Sequence, residues 1–262
     1  MVSRYWDSPL FTSLLTLFLV VTAPVCAQQS LTWVMADRAG EPFQIISNNP
    51  AQTPHTGLLT DILQAMIKDA DIPLKTRVRP YKRIRHELIA GHHDFWITYG
   101  SPAWLDERVL ALGDYSRRSV VEIRYLLAAF ASEAPFALDD ARGKRMILIH
   151  GYTYYPGFHH WLKAMAIEPV YAPSHRHALA MLRQQRADFY LVEEPRLYWQ
   201  AQQLGIDRAQ LQTLDFSAII PTTQIAFVFD KRIPASTREQ LNQALDKLHQ
   251  SGELEQILQR YR

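Results

Sequence analysis

DFWITYGSPAWLDERVLALGDYSRR, residues Asp94 to Arg118, is the stretch on which the fold of this chain turns. Phe95, Trp96, Ile97, Thr98 and Tyr99 are aromatic or β-branched, side chains that suit a pleated and packed surface, and they predict a strand. Gly100-Ser101-Pro102 ends it, because proline removes a ladder donor and glycine admits a turn. A polar segment, Leu105-Asp106-Glu107-Arg108, then leads to a second apolar run that closes on Gly113-Asp114-Tyr115-Ser116. In open α/β sheets, ligands sit at the loops beyond the carboxyl ends of strands. Arg108, just past such a loop, is therefore either a two-pronged clamp for a ligand carboxylate or a surface arginine paired with Glu107 or Asp106.

Outward from this stretch the pattern alternates. Upstream, Ser30 to Met35 predicts a strand, and Leu58, Leu59, Ile62, Leu63, Met66 and Ile67 fall at helical spacing. Leu74 to Val78 alternates like a strand, and Lys82 to Ala90 follows Pro80-Tyr81 as a second helix. Strand, helix, strand, helix, strand predicts right-handed βαβ units and a mostly parallel sheet. Downstream, strands are predicted at Glu122 to Ala129, Lys144 to His150, Glu168 to Tyr171, Asp188 to Val192 and Gln224 to Phe229. Helices are predicted at Phe158 to Met165, His175 to Gln185, Arg196 to Leu204 and within Thr237 to Tyr261.

The N-terminus reads differently. Arg4 precedes the apolar run Leu10 to Val21, and Val25-Cys26-Ala27 supplies small residues ahead of Gln28, which predicts a cleavable signal peptide over residues 1–27. Cys26 is the sole cysteine, and the bulky Val25 before it argues against a lipoprotein anchor. Cleavage after Ala27 would leave a secreted chain with no cysteine and hence no disulfide. The rest is long enough for one large domain or two lobes, and 48% of the residues are apolar, enough for a core. A net charge of +2 without a long basic block argues against nucleic acid as a partner.

Several local strings then fall in a telling order. Glu41-Pro42-Phe43 follows the first strand, Gly57-Leu58-Leu59-Thr60-Asp61-Ile62 opens a helix, and Pro80-Tyr81 and Gly91-His92-His93-Asp94 precede the next two elements. Asp106-Glu107-Arg108 is followed by Asp114-Tyr115-Ser116, and Gly143-Lys144-Arg145 precedes a strand that runs up to Gly151. Arg186-Ala187-Asp188 precedes Glu193-Glu194-Pro195, and the chain finishes on Gly252-Glu253-Leu254-Glu255-Gln256-Ile257 with Tyr261. In this order and spacing the chain resembles the periplasmic solute-binding proteins of the polar amino-acid ABC-uptake family, extracellular solute-binding protein family 3.

The resemblance implies a two-lobed α/β fold of the type II periplasmic-binding kind, each lobe a mostly parallel sheet flanked by helices. Two hinge crossings would join a first lobe of residues 28–118 and 223–262 to a second lobe of residues 119–222. It implies a periplasmic monomer that captures a small polar ligand, an amino acid or related carboxylate, for the membrane permease of an ABC transporter. No cofactor, metal or catalytic residue is implied. Phe43 and Tyr81 match positions that stack aromatic rings on the ligand, and Arg108 matches the arginine that clamps an α-carboxylate. Gly151 and Thr153 match a ligand-touching turn, Glu193 matches the acid that receives an α-amino group, and Ser101 opens the loop before Arg108. The loop Ser101-Pro102-Ala103-Trp104-Leu105 departs from the family's threonine-containing run and is one residue longer. Glutamate stands at 193 where aspartate is commoner, and Trp104 and Tyr154 add bulk, so the ligand is expected to differ from a standard amino acid.

Two other chemistries compete with this reading. The ten histidines include His92-His93, His159-His160 and His175-x-His177, but zinc needs three or four converging ligands, and adjacent helical residues do not face one ion. An enzyme on the same scaffold, a periplasmic cyclohexadienyl dehydratase acting on prephenate or arogenate, would use Glu193 as general acid with Glu194 beside it. No Gly-x-Ser-x-Gly elbow, phosphate loop or dinucleotide fingerprint is present.

Overall fold

The computed structural model describes residues 30–37, 40–101, 107–131, 134–152 and 154–261, with only the backbone of Tyr81, Lys82 and Pro156. The expected signal peptide lies outside the described residues, as do Trp104 and Thr153. The chain opens with β1 (Leu31–Ala36), α1 (Leu58–Ala70), β2 (Leu74–Arg79), α2 (Tyr81–Ile89) and β3 (Trp96–Gly100). Then come α3 (Glu107–Leu112), β4 (Gly113–Tyr115) and β5 (Val121–Ile123). A second group holds β6 (Tyr125–Phe130), β7 (Arg145–Ile149), α4 (Pro156–Ala164), β8 (Glu168–Ala172), α5 (His175–Arg183), β9 (Phe189–Glu193), α6 (Glu194–Gln203) and β10 (Leu211–Asp215). The chain closes with β11 (Thr223–Asp230), α7 (Ala235–Ser251) and α8 (Glu253–Gln259).

These elements make two sheets, one per lobe. The first runs β2-β1-β3-β11-β4 with β5 also on β11, and the second runs β8-β7-β9-β6-β10. Each contains the same βαβαβ unit in the order 2-1-3: β1 pairs parallel with β2 and β3, and β7 with β8 and β9. The mostly parallel sheets expected from the alternation are parallel only in these units. A crossover helix returns the chain to the same end of the sheet, which makes the next strand parallel. By contrast, β6 and β11 come from the other lobe without a crossover helix, and both pair antiparallel with their neighbours. The chain crosses between lobes at Arg124 and returns between Asp215 and Thr223; β5 and β11 pair with Ile123 opposite Thr223, so the two passages lie side by side.

Side-chain alternation fills both faces of each sheet. In β1, Leu31, Trp33 and Met35 join a core with α1, α7 and α8, while Val34 packs with Leu88 of α2 and Val109 of α3 on the opposite face. In the second lobe, Leu126, Ile147 and Val192 face α5 and α6, and Leu127, Met146 and Leu191 face α4. Each such large side chain contributes roughly 1.5–3 kcal/mol by leaving water. Two glycines are required by the backbone. Gly57 (φ 112°) lets the start of α1 approach the loop after β1, where an added Cβ would meet Phe43 O, Gln44 Cα and Ile45 N at 2.8 Å. Gly252 (φ 77°) breaks the C-terminal helical stretch into α7 and α8.

Candidate ligand-binding cleft

In a 2-1-3 arrangement the connections leave the first strand in opposite directions, and a crevice opens at the carboxyl ends beside it. Both lobes bring side chains to this place. The loop after β1 carries Glu41, Phe43 and Gln44, and Gln44 anchors it by accepting the Ala36 amide at 3.1 Å. The ends of β1's neighbours add Tyr99 and the buried Ser101 from β3. From the second lobe, the turn after β7 carries Gly151 and Tyr152, and β9 ends on Glu193, the cap residue of α6.

Arg196, one turn into α6, joins the two sides. Its residue is only 6% exposed, and its Nε lies 3.4 Å from Glu193 Oε2. Its Nη1 donates to the Glu41 carbonyl oxygen at 2.7 Å, and its guanidinium carbon sits 4.6 Å above the centre of the Phe43 ring. One turn further, Gln200 donates to the Glu41 carboxylate at 3.0 Å, and the Trp199 ring lies 5.8 Å from that of Tyr261. So α6 of the second lobe rests on the β1 loop and the C-terminus of the first. Burial opposes the Arg196 charge, but the Glu193 carboxylate beside it holds its pKa above the ordinary arginine value. Glu193 also accepts from the Tyr125 hydroxyl at 3.4 Å.

Behind this pair runs a chain of hydroxyls. Tyr152 Oη lies 3.0 Å from His175 Nε2, and His175 Nδ1 lies 2.6 Å from Tyr190 Oη. Burial, followed by the Arg196 charge, keeps the His175 pKa well below its usual value, so the imidazole is neutral. A neutral ring donates from one nitrogen and accepts at the other, which fixes the sense of both tyrosine hydroxyls once one is set. Burial also raises the pKa of Tyr125, Tyr152 and Tyr190, so all three keep their protons. The arrangement offers an aromatic face, one buried ion pair and protonated hydroxyls: the equipment for holding a small polar molecule.

Of the residues picked from sequence, Phe43 and Glu193 meet at Arg196. Ser101 is buried at the end of β3, and Gly151 turns with φ 81° just before Tyr152. Arg108 stands exposed in the first turn of α3. Tyr81 begins α2 and its side chain lies outside the described atoms, while Thr153 lies outside the described residues. Arg196 was missed, although Glu193-x-x-Arg196 is an i,i+3 spacing that puts opposite charges side by side on a helix. Glu194, the second acid of the dehydratase alternative, is gripped from both sides by Arg124 at 2.9 and 2.8 Å. Among the described residues, no group of three or more histidine, cysteine, aspartate or glutamate side chains could hold a metal ion, and no helix is long and apolar enough to cross a membrane.

The sequence matches no protein-family model and no curated protein. Solved structures do match. The substrate-binding protein of an amino acid ABC transporter aligns with TM-score 0.64 at 18% identity, over 89% of this chain and 99% of that one. Substrate-binding domain 2 of GlnP from Lactococcus lactis, in its open conformation, aligns with TM-score 0.66 at 18% identity, over 88% of this chain and 94% of that one. A histidine kinase sensor domain with similarity to periplasmic binding proteins aligns with TM-score 0.64 at 16% identity, over 89% and 96%. With two 2-1-3 sheets joined by paired crossings and these likenesses along nearly its whole length, the chain has the type II periplasmic-binding fold.

Proposed function

We propose that this chain is a periplasmic solute-binding protein that captures a small polar ligand, an amino acid or a related carboxylate, between its lobes. The observation that carries this is the meeting of Phe43 and Glu41 of the first lobe with Arg196 and Glu193 of the second, at the carboxyl ends of both central strand sets. Phe43, Tyr81, Ser101, Arg108, Gly151, Thr153 and Glu193 are the proposed ligand-binding residues, with Arg196 and Tyr152 added by the geometry. A ligand that touches both lobes stabilises the closed form by its differential affinity, so capture and closure are one event. The closed form would be read by an ABC-transporter permease, as the substrate-binding proteins of amino acid transporters among the solved likenesses suggest. The lobes are proposed to follow the sequence division, 28–118 with 223–262 and the segment between, except that β5 goes with the first lobe through its pairing with β11; the mature protein is proposed to be a monomer that begins at Gln28. A dehydratase would need Glu193 and Glu194 as acid groups, and both are ion-paired to arginines.

A melting screen of the mature protein over amino acids, organic acids and small peptides tests this. A ligand that binds only the folded state raises the melting temperature as its concentration passes the dissociation constant. At least one small polar compound is expected to do so; a screen in which none does overturns the proposal. Intact mass of the exported chain should start at Gln28, and a lipid on Cys26 would instead place it on a membrane.

A further inference from the structure

Glu193 is the group that an amino-acid ligand would need for its ammonium, and here it already faces a cation. The side chains of Arg196 and Glu193 are 7% and 4% exposed and lie 3.4 Å apart. Their pairing is built into the backbone: Glu193 ends β9 and caps α6, and Arg196 follows three residues later on the same helix. The guanidinium is held from the other lobe by the Glu41 carbonyl and the Phe43 ring. Arginine does not give up its proton in proteins, so the charge of Glu193 is met with or without a ligand.

An ammonium arriving at Glu193 would stand close to this fixed positive charge among side chains buried from water, where like charges repel strongly. An uncharged carbonyl or hydroxyl oxygen in the same place would meet no like charge and would accept a hydrogen bond from the guanidinium instead. The guanidinium N–H groups are donors that keep their protons, whereas the Tyr125 hydroxyl already donates to Glu193. Resting on the solute-binding reading, we propose that the cleft selects a small carboxylate that carries an oxo or hydroxyl oxygen in place of an ammonium group, and that Arg196 is the residue that sets this preference.

Matched pairs isolate the single group in question: 2-oxoglutarate against glutamate, pyruvate against alanine, and phenylpyruvate against phenylalanine, each titrated by calorimetry into the mature protein. The oxo acid should bind on the order of tenfold or more tightly than its amino acid in any pair that binds. Arg196→Gln should erase or reverse that ratio, because Glu193 is then free to accept an ammonium, while Arg196→Lys should retain it. The wild-type ratios need no variant to fold. Tighter binding of the amino acid in the pairs that bind, or an unchanged ratio in a folded Arg196→Gln, overturns the inference and leaves the solute-binding reading intact. Any other compound found by the melting screen is sorted the same way, an ammonium counting against and its absence in favour. Absence of binding by every compound tested removes both.

Discussion

The two sides of the cleft share a scaffold and differ in what they put on it. Each lobe points the ends of a 2-1-3 βαβαβ unit at the gap. The first lobe presents a ring and a backbone carbonyl, Phe43 and Glu41 O; the second presents the Glu193–Arg196 pair backed by Tyr152, His175 and Tyr190. A ring and a carbonyl carry no net charge and accept varied partners. A buried ion pair and a neutral imidazole of fixed tautomer do not, because any mismatch leaves a polar group unmet away from water. Among the groups that meet at Arg196, the ones that tolerate no mismatch therefore belong to the second lobe.

That contrast orders the expected effects of substitution. Arg196→Ala should cost the most, about 3–5 kcal/mol in urea unfolding, since removing one partner strands the other charge in the interior. Replacing both, Glu193→Leu with Arg196→Met, should recover most of that loss. A single-variant cost near zero would mean the pair is solvated in solution, and the contrast between lobes would fail.

On the first side the vulnerable element is backbone geometry. Gly57→Ala forces a side chain onto φ 112° and against Phe43 O and Gln44 Cα, at a cost of about 1–3 kcal/mol from the backbone alone. It should also shift Phe43 and weaken ligand binding. A variant with unaltered melting and affinity would show that the loop has room the structure does not give it.

Next in size is a pH effect. His175 has a folded pKa well below its unfolded value of about 6.5, so below that pH the unfolded chain takes up a proton that the folded state refuses. Stability should thus fall as pH drops through about 6.5, by about 1.4 kcal/mol per pH unit until the folded pKa is reached. Unfolding curves at several pH values for wild type and His175→Gln check this, and the variant should show the shallower slope. Equal slopes would place the imidazole in water. The smallest effect belongs to the cross-lobe contact of Gln200 with the exposed Glu41 carboxylate: Gln200→Ala should cost about 1 kcal/mol or less, because water can replace the lost donor.

Most of the fold was legible because the elements announce themselves. The spacing of Leu58, Ile62, Leu63 and Met66 is that of the buried face of α1, and the buried run Phe189 to Val192 reads as a strand closed in on both faces. The strand β10 gives no local signal: Leu211 to Asp215 is short and partly exposed, and the adjacent Gln212 and Thr213 break the alternation, so only its pairing with β6 makes it a strand. The left-handed Asp71 and Pro73 mark the end of α1, where the sequence placed it. The cleft was half legible. Phe43 and Glu193 came from resemblance to a family, but a charged residue on a helix ordinarily faces solvent, so Arg196 gave no signal by itself. What buries it is Glu41, 155 residues away in the chain, and such a contact has no local trace.

The most direct measurement is calorimetric titration of the compound that most raises the melting temperature, into wild type, Phe43→Ala and Arg196→Gln. A molecule held between the lobes should bind at a single site and be weakened on the order of tenfold or more by each substitution, since each removes a contact from a different lobe. Binding that neither folded variant alters would put the ligand outside the cleft and contradict the account.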